Sequence, residues 1–206
     1  MRMATIDNKT AQKIKSLYET SKLSAPQISE KTGYSLNEVY YAMRKYNVKR
    51  RTPADHNKIT FENKPFSFSV KKSLSPVDEK LRLTGSLLYW CEGYKTEKSK
   101  GIDFANSDVG MIICFVKFLR NICGVDEKRL RVLLYCHSSC NINLLITHWS
   151  AVTNIPKSQF TKPYVMKTYT LDKKDKMPYG LVHIRYADKK LLRLIMSWID
   201  ECKANI

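Results

Sequence analysis

Residues 83–108 read LTGSLLYWCEGYKTEKSKGIDFANSD, and this stretch decides the fold. It opens as an apolar helix and stops abruptly at Glu92-Gly93. A carboxylate at the lip of a buried helix is costly unless something pairs with it. A divalent cation is one such partner, and phosphate chemistry often uses one. The plain alternative is a solvated Glu92, with Gly93 taking the left-handed conformation that ends many helices. A Lys-rich turn follows, then a short strand over 101–106. Asn106-Ser107-Asp108 caps a second apolar helix.

Working outward, hydrophobic spacing predicts a helix over 77–92, a strand pair at 94–97 and 101–106, and a helix over 108–122. A strand over 129–137, a helix over 141–153 and an extended piece over 158–166 come next. A polar loop, KTYTLDKKDK, occupies 167–176, before a strand at 179–186 and a closing helix at 188–203. On the N-terminal side, residues 53–76 read as a linker with one short strand. Pro53, Pro65 and Pro76 interrupt it, and PFSFSVKKSLS alternates apolar and polar residues.

Residues 1–52 form a separate helical unit. Ala11, Ile14, Leu17 and Tyr18 recur at helix spacing. Ser24 starts a second helix with Pro26 in its first turn, and Gly33 suits a tight left-handed turn. Ser35 caps a third helix, with Leu36, Val39, Tyr40 and Met43 inward. Two helices joined by a Gly-containing turn of about four residues are the helix-turn-helix signature. Leu23 to Tyr46 resembles the helix-turn-helix of many bacterial and phage DNA-binding proteins. Eleven Lys and Arg against four acids in this unit agree with that. The reading places Ser35, Asn37, Glu38, Tyr41 and Arg44 at base edges, and Lys45, Lys49, Arg50 and Arg51 on phosphates.

Composition narrows the partner. Lys and Arg number 36 against 19 acids, a net charge of +17 and a pI near 9.6. Such a surplus attracts phosphate backbones or anionic surfaces. No apolar run approaches the ~20 residues of a spanning helix. MRMATIDNKTAQ lacks the apolar core of a signal peptide, so the expectation is a cytoplasmic protein without membrane partners. The six cysteines do not read as a disulfide framework. Cys136, His137 and Cys140, with His148 beyond, do not match a standard zinc spacing.

The ordered set of elements after residue 77 resembles the LAGLIDADG homing-endonuclease family, with a helix-turn-helix domain in front. Gly85 to Gly93, GSLLYWCEG, lies over the motif that ends in acid-Gly. Ile102 to Asp108 resembles the strand and cap that follow. His148 to Phe160 and the closing YGLVHIRYADKKLLRLIMSWID resemble the corresponding later parts. The resemblance implies an α+β fold, an αββαββα domain over 77–206. It implies a homodimer, because one motif is present, and double-stranded DNA beneath a saddle of strands. Glu92 falls on the catalytic, metal-binding acid, so the implied activity is Mg2+-dependent phosphodiester hydrolysis by a DNA endonuclease. On that saddle, Lys95, Lys98, Lys100, Lys162, Lys167, Lys173 and Lys174 would meet DNA. The sequence departs from the family at Glu92, where Asp is commoner, and at Leu87, where a small residue is usual. Two other functions fit the same features: a non-cleaving DNA-binding transcriptional regulator, and an RNA-binding splicing helper.

Overall fold

The computed structural model describes residues 7–166 and 177–204. The chain divides into two compact units, Met1–Pro65 and Phe66–Ile206. Each has its own apolar core.

The first unit contains α1 (Asn8–Glu19), α2 (Ala25–Thr32), α3 (Leu36–Lys45) and α4 (Pro53–Asn63). Ser24 and Ser35 each close a reciprocal capping box, with Gln27 and Glu38 respectively. Gly33 ends α2 at φ 77°, the left-handed turn read from the sequence. Ala11 and Ile14 of α1, Ile28 of α2 and Val39 and Met43 of α3 form the core. Fully burying a side chain such as Ile28 is worth roughly 1.5–3 kcal/mol.

The stretch 53–76 is not a simple linker. Its first half is α4, started by a Thr52–Asp55 capping box with Pro53 in the first turn. Proline at that position initiates a helix, because its missing N–H has no helical partner there anyway. The second half is an extended arm tied to the second unit. Phe68 bridges Val125, and the Ser69 and Lys71 N–H groups donate to the Gly124 and Ile122 carbonyls. The buried Tyr186 hydroxyl donates to the Ser67 carbonyl.

The second unit contains α5 (Pro76–Glu92), β1 (Ile102–Asn106), α6 (Val109–Asn121), β2 (Leu130–His137) and α7 (Ile142–Thr153). It closes with β3 (Tyr164–Met166), β4 (Leu181–Tyr186) and α8 (Lys189–Ala204). The class is α+β, with eight α-helices and a four-stranded mixed sheet among the described residues. Strand order is β1-β4-β2-β3, antiparallel except for the parallel β2–β3 pair. The strand expected at 94–97 reduces to a bridge from Gly93 to Phe104 and one bond from Tyr94 N–H to Asp103. No helix among the described residues is long and apolar enough to cross a membrane.

One face of the sheet is sealed. Ile102, Phe104, Leu130, Val132, Leu134, Val182, Ile184 and Tyr186 alternate inward and join residues of α5–α8 in one cluster. Phe104 stacks on Phe115 at 4.1 Å, and Tyr89 on Phe115 at 5.8 Å. Gly85 lets α5 lie against α6, since a Cβ there would sit 2.2 Å from the Phe118 ring.

Candidate nucleic-acid interface

Helix α3 is amphipathic with a narrow buried side. Val39, Ala42 and Met43 are buried, whereas Asn37, Tyr41 and Arg44 stand exposed. These three positions follow helical spacing, so their side chains share one stripe. The other candidates divide by their partners. Ser35 and Glu38 are joined to each other, the Ser35 hydroxyl donating to the Glu38 carboxylate at 2.7 Å. They fix the start of α3. Lys45 and Lys49 are exposed, the Lys45 ammonium 5.7 Å from the Tyr46 ring centre.

Arg50 lies over the Tyr40 ring at 4.9 Å. Arg51 is a clamp. Its guanidinium donates to the Lys22 carbonyl at 3.0 Å and to the Tyr18 carbonyl, and it lies 4.0 Å from the Tyr18 ring centre. Its own N–H donates to the Tyr18 hydroxyl at 2.9 Å. These contacts hold the chain beyond α3 against α1, so Arg51 acts on the unit's shape.

Helix α5 also has two faces. Gly85, Ser86 and Tyr89 are buried; Lys80, Leu83, Thr84, Leu87 and Cys91 are exposed. Leu83 keeps 48% and Leu87 37% of its surface accessible. Burial pushes the Tyr89 hydroxyl up to about 12, and it donates to the Tyr94 carbonyl at 2.8 Å. Glu92 is the last helical residue and is exposed. Gly93 is extended, at φ −78° and ψ 146°, rather than left-handed. Its missing Cβ serves close packing, because a Cβ would lie 2.5 Å from Tyr89 atoms.

Lys95 closes the end of α5. Its ammonium donates to the Trp90 carbonyl at 2.6 Å, to Gly93 at 2.9 Å and to Tyr89 at 3.4 Å. That arrangement meets the orphan carbonyls and negative dipole end of the helix. Lys98 and Lys100 are exposed in the turn before β1, and Lys162 is exposed ahead of β3. Lys167, Lys173 and Lys174 lie outside the described residues.

The open face of the sheet holds residues that the sequence reading passed over. Asp103, Arg185 and Arg131 face one another across β1, β4 and β2. Asp103 binds His183 Nδ1 at 2.7 Å and accepts from Arg185 Nε at 2.8 Å. Tyr135 pairs with Tyr164, their ring centres 4.9 Å apart. The signal was the period-2 alternation of LRVLLYCH and LVHIRY, which separates core from open face.

Among the described residues, no three His, Cys, Asp or Glu side chains converge where a metal ion could sit. One chain therefore offers a cation Glu92 without a converging set of described partners. All six cysteines are free. Burial pushes the Cys123 and Cys136 thiols up, which keeps them protonated and poorly nucleophilic. No protein-family model, curated protein or solved structure matches the chain.

Proposed function

We propose that this is a sequence-specific binder of double-stranded DNA whose first unit reads the duplex with α3. The observation that carries this is the exposed Asn37–Tyr41–Arg44 stripe, placed after a left-handed Gly33 turn and a rigid cap. Asn and Arg suit adenine and guanine edges in the major groove. The net charge of +17 supplies attraction that does not depend on sequence. Selection from a randomised duplex pool tests the reading. The wild-type chain should enrich one site and bind it at least tenfold more tightly than a scrambled duplex of equal length. Equal affinity for both at matched salt contradicts the reading.

One observation favours cleavage as well. The exposed apolar stripe of α5 runs through Leu83 and Leu87 and ends beside the exposed Glu92. A homodimer of the LAGLIDADG kind, paired along that stripe, would bring two Glu92 carboxylates towards one axis. The pair could hold Mg2+, which lowers the pKa of a bound water and stabilises charge on a phosphoryl oxygen. Glu92→Gln keeps the shape and removes the charge. Cleavage of the selected site should fall to background in that variant while binding stays within about twofold. A wild-type chain that binds its selected site and leaves it intact with Mg2+ or Mn2+ is a regulator without nuclease activity.

A further inference from the structure

We propose that α4 is a marginal helix that melts and reforms, and that it serves as an adjustable spacer when both units engage one duplex. The inference rests on the DNA-binding reading above and concerns a segment which that reading leaves unused.

The chain is pinned on either side of α4. Before it, the Arg51 N–H donates to the Tyr18 hydroxyl at 2.9 Å and the Arg51 guanidinium to the Lys22 carbonyl at 3.0 Å. After it, the Ser67 hydroxyl donates to Asp188 at 2.5 Å and the Ser69 N–H to the Gly124 carbonyl at 2.9 Å. Between these points, no residue of 52–66 is buried, and none belongs to either apolar core. The first turn of α4 borders the rest of the first unit, where Thr52, Pro53 and His56 line a hollow with Tyr18 and Tyr40. Ile59 and Phe61, the apolar residues beyond that turn, stay partly exposed.

A helix outside any core depends on its own propensity. Helix α4 has 11 residues, and isolated helices shorter than about 12–15 residues are marginal in water. Helix α3 is one residue shorter, yet it is held by burying Val39, Ala42 and Met43. The body of α4 is also a poor helix former. Residues 57–63 read NKITFEN, in which Lys58 and Glu62 are the strong formers. Glu62 lies near the negative end of the helix dipole, and the last turn carries no basic residue. The start is the reverse, because the Thr52–Asp55 capping box and Pro53 favour nucleation. Such a helix is nucleated at one end and frays from the other.

The change in reach is large on the scale of DNA. Residues 57–63 span about 10 Å as helix and about 24 Å when extended. The gain matches the rise of about four base pairs. A rigid joint would fix both the separation and the helical phase of two sites, because each added base pair also turns the duplex by about a tenth of a turn. A melting spacer lets both units keep their contacts as the separation changes. The gain from engaging two sites at once then survives, since it depends on whether the linker can span them.

Hydrogen exchange on the free full-length chain gives the first readout. Amides of residues 57–63 should exchange at least about a hundredfold faster than those of Val39 and Met43. Equal protection overturns the inference. Selection from a randomised duplex pool gives the second readout. The wild-type chain should return two sequence blocks at separations that differ by up to about four base pairs, bound within about threefold of one another. Asn57→Ala, Thr60→Ala and Asn63→Ala together stiffen α4 at exposed positions. That variant should lose about tenfold in affinity at all but one or two separations. Asn57→Gly, Thr60→Gly and Asn63→Gly together should keep the wild-type range. A stiffened variant that keeps the full range overturns the inference, as does a glycine variant that no longer binds. A pool that yields no block removes the DNA reading and the spacer with it. One block alone, or two at a single fixed separation, removes the spacer and leaves the reading by α3 in place.

Discussion

Helices α3 and α5 start in the same way, with a serine whose hydroxyl and backbone share an acid three residues on. Both bury one face in a core. Their outer faces differ, although Leu36, expected inward on α3, is as exposed there as Leu87 is on α5. Helix α3 shows Asn37, Tyr41 and Arg44, and α5 shows Leu83, Leu87 and Cys91. A stripe of amide, phenol and guanidinium groups stays hydrated when alone and hydrogen-bonds a polar groove when bound. A leucine stripe gains free energy only where another apolar surface excludes water. The same local grammar of capping and periodicity therefore produces one helix suited to a nucleic-acid groove and another suited to protein.

The sharpest way to break this comparison is at the inner face of α5. Gly85→Ala places a methyl 2.2 Å from the buried Phe118 ring. It should destabilise the second unit by about 3 kcal/mol, the upper end of overpacking costs. Thr84→Ala, one position away on the exposed side, should change stability by less than about 1 kcal/mol. Trp90, Trp149 and Trp198 all lie in the second unit, so urea unfolding followed by tryptophan fluorescence reads that unit alone. Equal effects at the two positions would mean that the faces of α5 are misassigned.

The outer face of α5 is tested by Leu87→Arg. If the stripe pairs two copies, the buried arginine would lack a partner and the dimer should dissociate by at least tenfold in Kd. Sedimentation at several concentrations measures this, and tryptophan emission checks that the unit still folds. A wild-type chain that stays monomeric on its DNA site removes the proposed dimer.

The smallest expected effect lies at the start of α5. Hydrogen bonds from Lys71 and then Ser75 hold the Asp78 carboxyl down at about 2, below its ordinary 3.8. Its contribution to stability is therefore complete above 3.8 and disappears as pH falls towards about 2. Asp78→Asn should flatten the acid limb of the tryptophan-detected stability curve in that window. An unchanged limb would place the acid sensitivity elsewhere.

Much of the helical framework was legible because long amphipathic helices carry a strong period. The caps at Ser24 and Ser35, the Gly33 turn and the extents of α6 and α8 all follow from local rules. Helix α4 was hidden because Pro53 reads as an interruption when it is in fact a first-turn residue. From its charge alone, Lys95 reads as a phosphate contact. Its position just past Gly93 also suits capping the end of α5, and only the fold separates the two uses. The open-face grouping was illegible for a different reason. Tyr135, Tyr164 and His183 are far apart in sequence, and only the β1-β4-β2-β3 order makes them neighbours.

The central claim is that α3 reads duplex sequence, and one comparison tests it most directly. The site selected by the wild-type chain should be titrated with Arg44→Ala and, alongside it, Arg51→Ala, each against a scrambled duplex. Arg44→Ala should lose about 1–3 kcal/mol of discrimination, a drop in preference on the order of 5- to 150-fold, with stability unchanged. Arg51→Ala should instead loosen the first unit by removing the guanidinium bonds to the Tyr18 and Lys22 carbonyls and its contact with the Tyr18 ring, seen as a lower helical melting point. If Arg44→Ala retains the full preference for the selected site, α3 does not read it and the account is contradicted.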